Sequence, residues 1–504
     1  MADKSIVSNS KLTAIANAIR FKTGKSDKIT LDEFASEIYN ISEGNADGIK
    51  VLIDCGTLTG SSLFKNSTVE NFDGILSYNT TENATKAENM FQGCQNLKSI
   101  PNLNLSNVTT TKNMFYNCKQ LETIADLTLT NKLKDTSYMF YGCYLLKSIP
   151  NIDVSSVTNT TYMFYDCRSL LTIPDLNTTQ ITSLVDMFYG CESLMAIPNI
   201  VTDNVKSFNS AFARCFKLTE THQLNTNNVT SFSHAFERCT SLKKAPELTK
   251  TGGNLEYMFS SCSALEEVPL YDTSEATNMQ RMFESCRSLQ TVPQFDTKNV
   301  TNMSGMFYGC TNLEYVPSFN TTGVTTMYGM FQNCEKLTSV PDIDATSLTT
   351  TQYMFGSSGI VIAPKFYNIG KITNTSSMFS SCYSLTTILD FDMATVTSAS
   401  SMFSYCNALQ HVRLKNIKIN LEFTGTKLLT KESLINIFSE CVRTSSSRKI
   451  SLSTESKNLA NTLYVKFLDS SQTSIEVDEK GEIVECESTD DGAMTIVEYL
   501  ALKN

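Results

Sequence analysis

Residues 299–319 read NVTNMSGMFYGCTNLEYVPSF. Met306-Phe307 is followed by Cys310, then by Leu313, Val316 and Pro317. The same offsets recur along most of the chain. Cysteines stand at 94, 118, 143, 167, 191, 215, 239, 262, 286, 310, 334, 382 and 406, about one period of 24 residues apart, with Ser358 in the one vacant slot. A phenylalanine precedes every slot by three positions, from Phe91 to Phe403, which makes fourteen rungs. Met precedes that Phe except at Ala211 and Ala235. All ten prolines fall inside this register, nine of them seven residues after the Cys and Pro364 one place early.

The unit is L-x-x-[IV]-P-x-Φ-x-x-x-x-[VI]-T-x-x-x-x-M-F-x-x-C-x-x, with Φ apolar. One unit is too short to bury its own apolar side. Stacked on its neighbours, it contributes to a continuous core. The length lies within the roughly 20–29 residues of leucine-rich repeats. The expected fold is therefore an α/β repeat solenoid of about fourteen rungs. L-x-x-[IV]-P should supply a short strand whose Pro sits at the strand end. M-F-x-x-C should supply a helical turn on the opposite side. SNVT and KNVT segments read as turns.

The unit M-F-x-x-C-x-x-L-x-x-[IV]-P with a following V-T-x-M resembles the BspA-like leucine-rich repeat of bacterial surface proteins and of bacteriophage tail and receptor-binding proteins. The resemblance covers about residues 88–414. It departs from the pattern where Ala125, His222, Leu389 and Arg413 replace Pro, at GSSG 356–359, and at TGGNLEYM 251–258. Those rungs are expected to be remodelled.

Four segments follow. Residues 1–48 read as a helical N-terminal attachment module, with one helix in SNSKLTAIANAIRFKTG and another in TLDEFASEIYNI, where Thr30 and Glu33 have capping-box spacing. KLTAIANAIRFKTGKSDKITLDEFASEI resembles a short module of phage tail and baseplate-associated proteins. Residues 49–87, with a strand in IKVLIDCGTLTG, read as the solenoid's N-terminal cap, and residues 88–414 as the array. Residues 415–504 read as a small α/β module. Its elements are a helix in TKESLINIFSEC capped by Thr430 with Leu434, Ile435 and Phe438 inward, a strand in RKISLS, a helix in SKNLANTLYVKFL and a hairpin in SIEVDEKGEIVECE. TKESLINIF after such an array resembles the closing segment of related phage proteins.

Net charge is -10, which argues against gripping nucleic acid or anionic membranes through a basic surface. No apolar run is long enough for a membrane-spanning helix. The first residues lack a signal peptide's apolar core, so cytosolic synthesis with reduced thiols is expected.

Little chemistry is encoded. One Cys per rung lacks the paired spacing of zinc ligands, and Ser358 fits the slot as a small residue, so the cysteines read as core. The Met-Phe pairs read as core layers. The three histidines, His222, His234 and His411, sit in no catalytic or metal motif. No cofactor, no metal and no catalytic residue is expected, although a carboxylate pair assembled in space would escape sequence reading. Asn-x-Thr sequons such as Asn107-Val108-Thr109 and Asn299-Val300-Thr301 are a by-product of the turn.

Surface positions remain. Tyr116, Tyr141, Tyr165 and Tyr189 follow the Phe in four consecutive rungs, and Tyr308 does so later. They should stack into a lane that serves either stability or ligand binding. After the repeat Leu the residues vary: Lys243-Lys244, Glu266-Glu267 and Glu314-Tyr315. Such variation on a fixed frame builds binding surfaces, and opposite charges on successive rungs equally suit a salt bridge. Phe307, Cys310, Leu313 and Val316 are the inward spokes of the opening phrase.

The resemblance implies a phage virion structural protein, a homo-oligomeric tail-fibre or receptor-binding component. Its N-terminal helices would hold a tail or baseplate protein, and its solenoid would bind a bacterial surface glycan or protein. It would be made in the host cytoplasm and end in the virion tail, with no nucleic-acid partner and no membrane insertion. A bacterial surface adhesin and a tail-associated polysaccharide depolymerase are the alternatives.

Overall fold

A computed structural model describes residues 64–71, 81, 84–219, 222–423, 425–440 and 448–460, together with strands Ser5–Val7, Val51–Ile53, Ile475–Val477 and Ile483–Cys486. The chain divides into two compact units, Met1–Lys250 and Thr251–Asn504. Each is a stack of rungs.

The M-F-x-x-C stretch is not helical. The residue two before the Phe and the residue two after it both take positive φ, as at Asn89 (55°) and Gly93 (76°), Asn113 (53°) and Asn117 (58°), or Tyr162 (58°) and Asp166 (57°). A left-handed residue at every fourth position stops a helix from propagating. The chain instead runs as linked turns. Gln92 N–H donates to Asn89 C=O at 3.1 Å and Cys94 N–H to Phe91 C=O at 3.1 Å. The intervening N–H groups turn outward to the next rung: Asn89 to Lys112 (2.9 Å), Phe91 to Met114 (2.8 Å) and Gly93 to Tyr116 (2.7 Å). The expected helical turn is therefore a flat ladder. Gly, Asn, Asp and Ser before the Cys are residues that tolerate or favour this conformation.

The longest strands of the array form where proline is missing, although Ile343–Asp344 and Phe366–Tyr367 also pair, just after Pro341 and Pro364. Parallel pairing joins Ser99–Ile100 to Thr123–Ile124 and Thr387–Asp392 to His411–Lys415. Ala125, in the proline slot, donates its N–H to Ile100 C=O at 3.2 Å, a bond proline has no hydrogen to make. Leu389 and Arg413 likewise sit inside the longer strands. In most rungs the proline cuts the ladder short, and single parallel bridges such as Asn302↔Thr326 and Thr326↔Thr350 hold the register. L-x-x-[IV]-P is thus a strand only in part of the array.

The core is layered. In the first unit the rings of Phe64, Phe91, Phe115, Phe140, Phe164, Phe188, Phe212 and Phe236 stack with centroids 5.1–5.6 Å apart. In the second, Phe259, Phe283, Phe307, Phe331, Phe355, Phe379, Phe403 and Phe423 stack at 4.9–6.2 Å. Each ring pair adds about 0.5–1.5 kcal/mol beyond simple burial. Phe307, Cys310 and Leu313 are fully buried and Val316 is 1% exposed, as expected.

In the second unit, helix Lys431–Ser439 follows the last rung. Thr430 caps it, its Oγ1 accepting from Ser433 N–H at 3.3 Å. Leu434 and Ile437 are its buried apolar residues, beside the buried Ser433, while Ile435 is half-buried, so the inward face is turned from the expected one. The Phe438 side chain lies outside the described residues. Leu421–Phe423 pairs parallel with Arg448–Leu452, which pairs antiparallel with Ile483–Cys486. Ile475–Val477 completes the sheet as the other arm of the expected hairpin. Helix Thr454–Ala460 occupies part of the expected second helix. Val51–Ile53 forms the expected strand and pairs parallel with Ser5–Val7. The two N-terminal helices fall outside the described residues.

Candidate recognition surface

The inward positions are spent on structure, including the thiols. Cys118 Sγ donates to the Phe91 carbonyl of the preceding rung at 3.0 Å. The bond recurs at Cys143, Cys167 and Cys191 in the first unit and at Cys310, Cys334 and Cys406 in the second. Burial pushes these thiols up, that of Cys310 to about 12. They are core residues that also satisfy a buried carbonyl. Among the described residues no cluster of metal-binding side chains forms.

Two tyrosine lanes lie side by side in the first unit. Tyr116, Tyr141, Tyr165 and Tyr189 form the expected one, with centroids 4.7, 4.7 and 4.5 Å apart and rings within 8° of parallel. Tyr138 and Tyr162 form a second, stacked at 4.8 Å and tilted against the first at 5.5–6.4 Å. All six are half-buried. Face-to-face stacking occupies the ring faces, so what the lanes present is hydroxyls and ring edges. Arg214 ends the first lane: its Nη1 donates to Tyr189 Oη at 3.4 Å.

The second lane changes character along its length. The slot two before the Phe holds Tyr138, Tyr162, Asp186, Ser210 and His234 in consecutive rungs. The Tyr162 and Ser210 hydroxyls favour the charged form of Asp186 but are outweighed by its burial. Burial raises the pKa of Asp186, and the Asp186 charge in turn raises that of Tyr162. His234 Nδ1 meets Glu237 Oε2 at 2.7 Å. Arg168 lies near both Asp166 (3.6 Å) and Glu192 (3.7 Å). The sequence reading missed this column. Aligning the rungs on the slot before Met-Phe reveals it.

The remaining candidates are scattered. Tyr308, in the second unit, lies under the Arg281 guanidinium at 5.8 Å rather than in a tyrosine stack. Glu314 pairs with Lys336 at 3.8 Å, and Tyr315 is 59% exposed. Lys243, Lys244, Glu266 and Glu267 are exposed, with Lys244 paired to Glu247 of its own rung at 3.4 Å. Rung-to-rung ion pairs of the expected kind occur at Lys98–Glu70 and Lys147–Glu122, both 2.8 Å.

The sequon asparagines have a structural task. Asn228 and Asn299 donate their Nδ2 to carbonyls of the preceding rung, Asp203 at 2.7 Å and Ser274 at 2.8 Å.

Rungs of this length, with a phenylalanine stack and a shared apolar core, define a repeat array of the leucine-rich, BspA-like type. The chain belongs to the DUF285 family, described as a Mycoplasma protein of unknown function, whose model matches residues 59–174, 170–251, 253–363 and 358–420. No curated protein matches the chain. Among solved structures, a leucine-rich repeat protein from Bacteroides ovatus is 18% identical with a TM-score of 0.35, over 69% of this chain and 82% of that one. The plant peptide hormone receptor RGFR1 in complex with RGF2 is 10% identical with a TM-score of 0.18, over 76% of this chain and 83% of that one.

Proposed function

We propose that this chain is a bacteriophage virion protein, a tail-fibre or receptor-binding component that recognises a bacterial surface glycan or protein without catalysis. The reading rests on the repeat's resemblance to phage receptor-binding proteins. One structural observation supports it: inward slots repeat while the outward slot after the Leu runs Lys98, Glu122, Lys147, Leu171, Met195, Thr219. Leu171 and Met195 are 44% and 47% exposed there. A rigid frame with a variable outward column suits multivalent, non-covalent recognition, strengthened when several copies share one particle. The segment 1–48 would hold the tail.

The test is binding of purified full-length protein, and of protein lacking residues 1–48, to candidate host cells. Both should bind, and only the full-length form should join tails. If neither form binds cells, the receptor reading fails. Incubation with host capsule or wall polymer should release no fragments; released fragments would make the protein a depolymerase.

A further inference from the structure

We propose that the two tyrosine lanes of the first unit are a modification site, at which a one-electron oxidant joins stacked neighbours through a carbon–carbon bond and so staples adjacent rungs covalently. The proposal concerns the reactivity of these rings and is independent of the recognition reading above.

Geometry carries the inference. Each stacked pair spans two rungs: Tyr116–Tyr141 and Tyr141–Tyr165 at 4.7 Å, Tyr165–Tyr189 at 4.5 Å and Tyr138–Tyr162 at 4.8 Å between centroids. Tyr162 also meets Tyr165 at 5.5 Å, so the two lanes touch. A ring that loses an electron can refill it from the ring beside it, so an oxidation begun anywhere in the cluster moves through it. The core phenylalanine stack is no rival, because a phenyl ring has no phenolic proton to release. Met139, Met163 and Met187, with Cys143, Cys167 and Cys191, are fully buried, whereas the six tyrosines are half-buried. Met195 is 47% exposed, but its oxidation gives a sulfoxide rather than a link.

The step balances. Each of two neighbouring phenols gives one electron to the oxidant and its hydroxyl proton to water. The resulting phenoxyl radicals carry unpaired spin on the ring carbons ortho to oxygen. One ortho carbon of each ring joins the other in a new bond. The hydrogen on each joined carbon then passes to its own oxygen, which restores both phenols. Two tyrosines thus lose two electrons and two protons in all, and two equivalents of the oxidant are each reduced by one electron. The rung register holds the partners together beforehand, so coupling within one chain outruns coupling between dilute chains. The link closes one period of the repeat and constrains the unfolded chain as a disulfide over the same loop would.

Brief illumination of the dilute full chain with tris(bipyridyl)ruthenium and persulfate supplies the oxidant. Dityrosine fluorescence should appear while the protein still runs as a single chain, and mass spectrometry of the digest should place the links between stacked lane neighbours. The combined variant Tyr141→Phe, Tyr162→Phe and Tyr189→Phe keeps every ring but leaves no stacked pair of phenols, so it should lose most of the fluorescence. Access alone would instead favour Tyr315, Tyr383 and Tyr405, which are 59, 59 and 63% exposed and stack on no tyrosine among the described residues. Replacing those three with Phe should leave the links unchanged. Oxidation should also raise the urea midpoint of the native chain relative to the shift that the same treatment gives the lane variant. Absence of dityrosine, links mainly between chains, links mapped to the three exposed tyrosines, links that survive the lane variant, or no relative rise in the midpoint would each overturn the proposal.

Discussion

Cys310 Sγ donates a hydrogen bond to the main-chain carbonyl of Phe283, 3.0 Å away in the preceding rung. The same carbonyl accepts the N–H of Cys286 at 3.1 Å. Cys310→Ala removes the thiol donor and leaves a small void, a cost of about 1–3 kcal/mol. Cys310→Ser keeps a donor and should cost less; Ser358 shows that a serine fits the equivalent slot, where its hydroxyl meets Cys382 Sγ at 3.6 Å. Cys310→Leu overfills the layer and should be worst. Urea denaturation of the three variants ranks them. An alanine variant more stable than the serine one would remove the donor role.

Phe164 sits between Phe140 at 5.4 Å and Phe188 at 5.5 Å, fully buried. Phe164→Ala opens a gap in the stack that the rungs on either side are too rigid to close. The expected loss is about 3–5 kcal/mol, read as a drop in denaturation midpoint. A loss below about 1 kcal/mol would mean that the ring stack carries little of the fold's stability.

The buried thiols set an alkaline limit. Burial holds Cys382 at about 11 and Cys310 at about 12, above the ordinary thiol value of 9.0. As pH rises, the unfolded chain releases its thiol protons first. The stabilising contribution is therefore complete below the ordinary value and is lost as pH climbs through the folded-state values. Denaturation midpoints under reducing conditions should fall steadily between about pH 9 and about pH 12. The native chain should also resist alkylation at all repeat cysteines near neutral pH, because thiolate is the reactive form.

Glycines 359 and 370 should respond oppositely to alanine. A methyl group on Gly359 would run into the Glu335 backbone carbonyl, whereas one on Gly370 meets nothing within 4 Å. Gly359→Ala should cost about 1–3 kcal/mol or more. Gly370→Ala should leave the melting temperature within a degree or so, since unobstructed surface changes usually fall within about 0.5 kcal/mol. Equal effects of the two would remove backbone crowding as the cause.

The rung, its inward spokes and the Phe+1 tyrosine lane were legible because each occupies a fixed offset. The period alone places Phe307, Cys310 and Leu313 inside. The linked turns were not legible as such. Hydrophobic spacing in M-F-x-x-C suits a helix as well as a turn, and the deciding signal was the residue just before the Cys, so often Gly, Asn, Asp or Ser. Proline's effect was half legible: a strand ends at proline at Ser99–Ile100, while most proline rungs form no strand at that point, which emerged only against Ala125, Leu389 and Arg413. The Tyr162–Asp186–Ser210–His234 column stayed hidden because no residue type repeats along it. What the four share is a slot of positive φ rather than a residue type.

The partner of each ladder bond lies about one period away, as when Phe307 N–H meets Met330 C=O and Thr325 N–H meets Thr301 C=O. Forming a rung on its neighbour therefore closes a loop of nearly constant length, so the entropy of closure is incurred in equal instalments rather than in one long-range step. A nucleus of a few rungs can grow by accretion in sequence order as the chain is synthesised, with modest contact order despite an all-turn-and-strand interior. Deleting or duplicating a whole period leaves every bond type with a partner, so array length can change over evolution without redesign of the core.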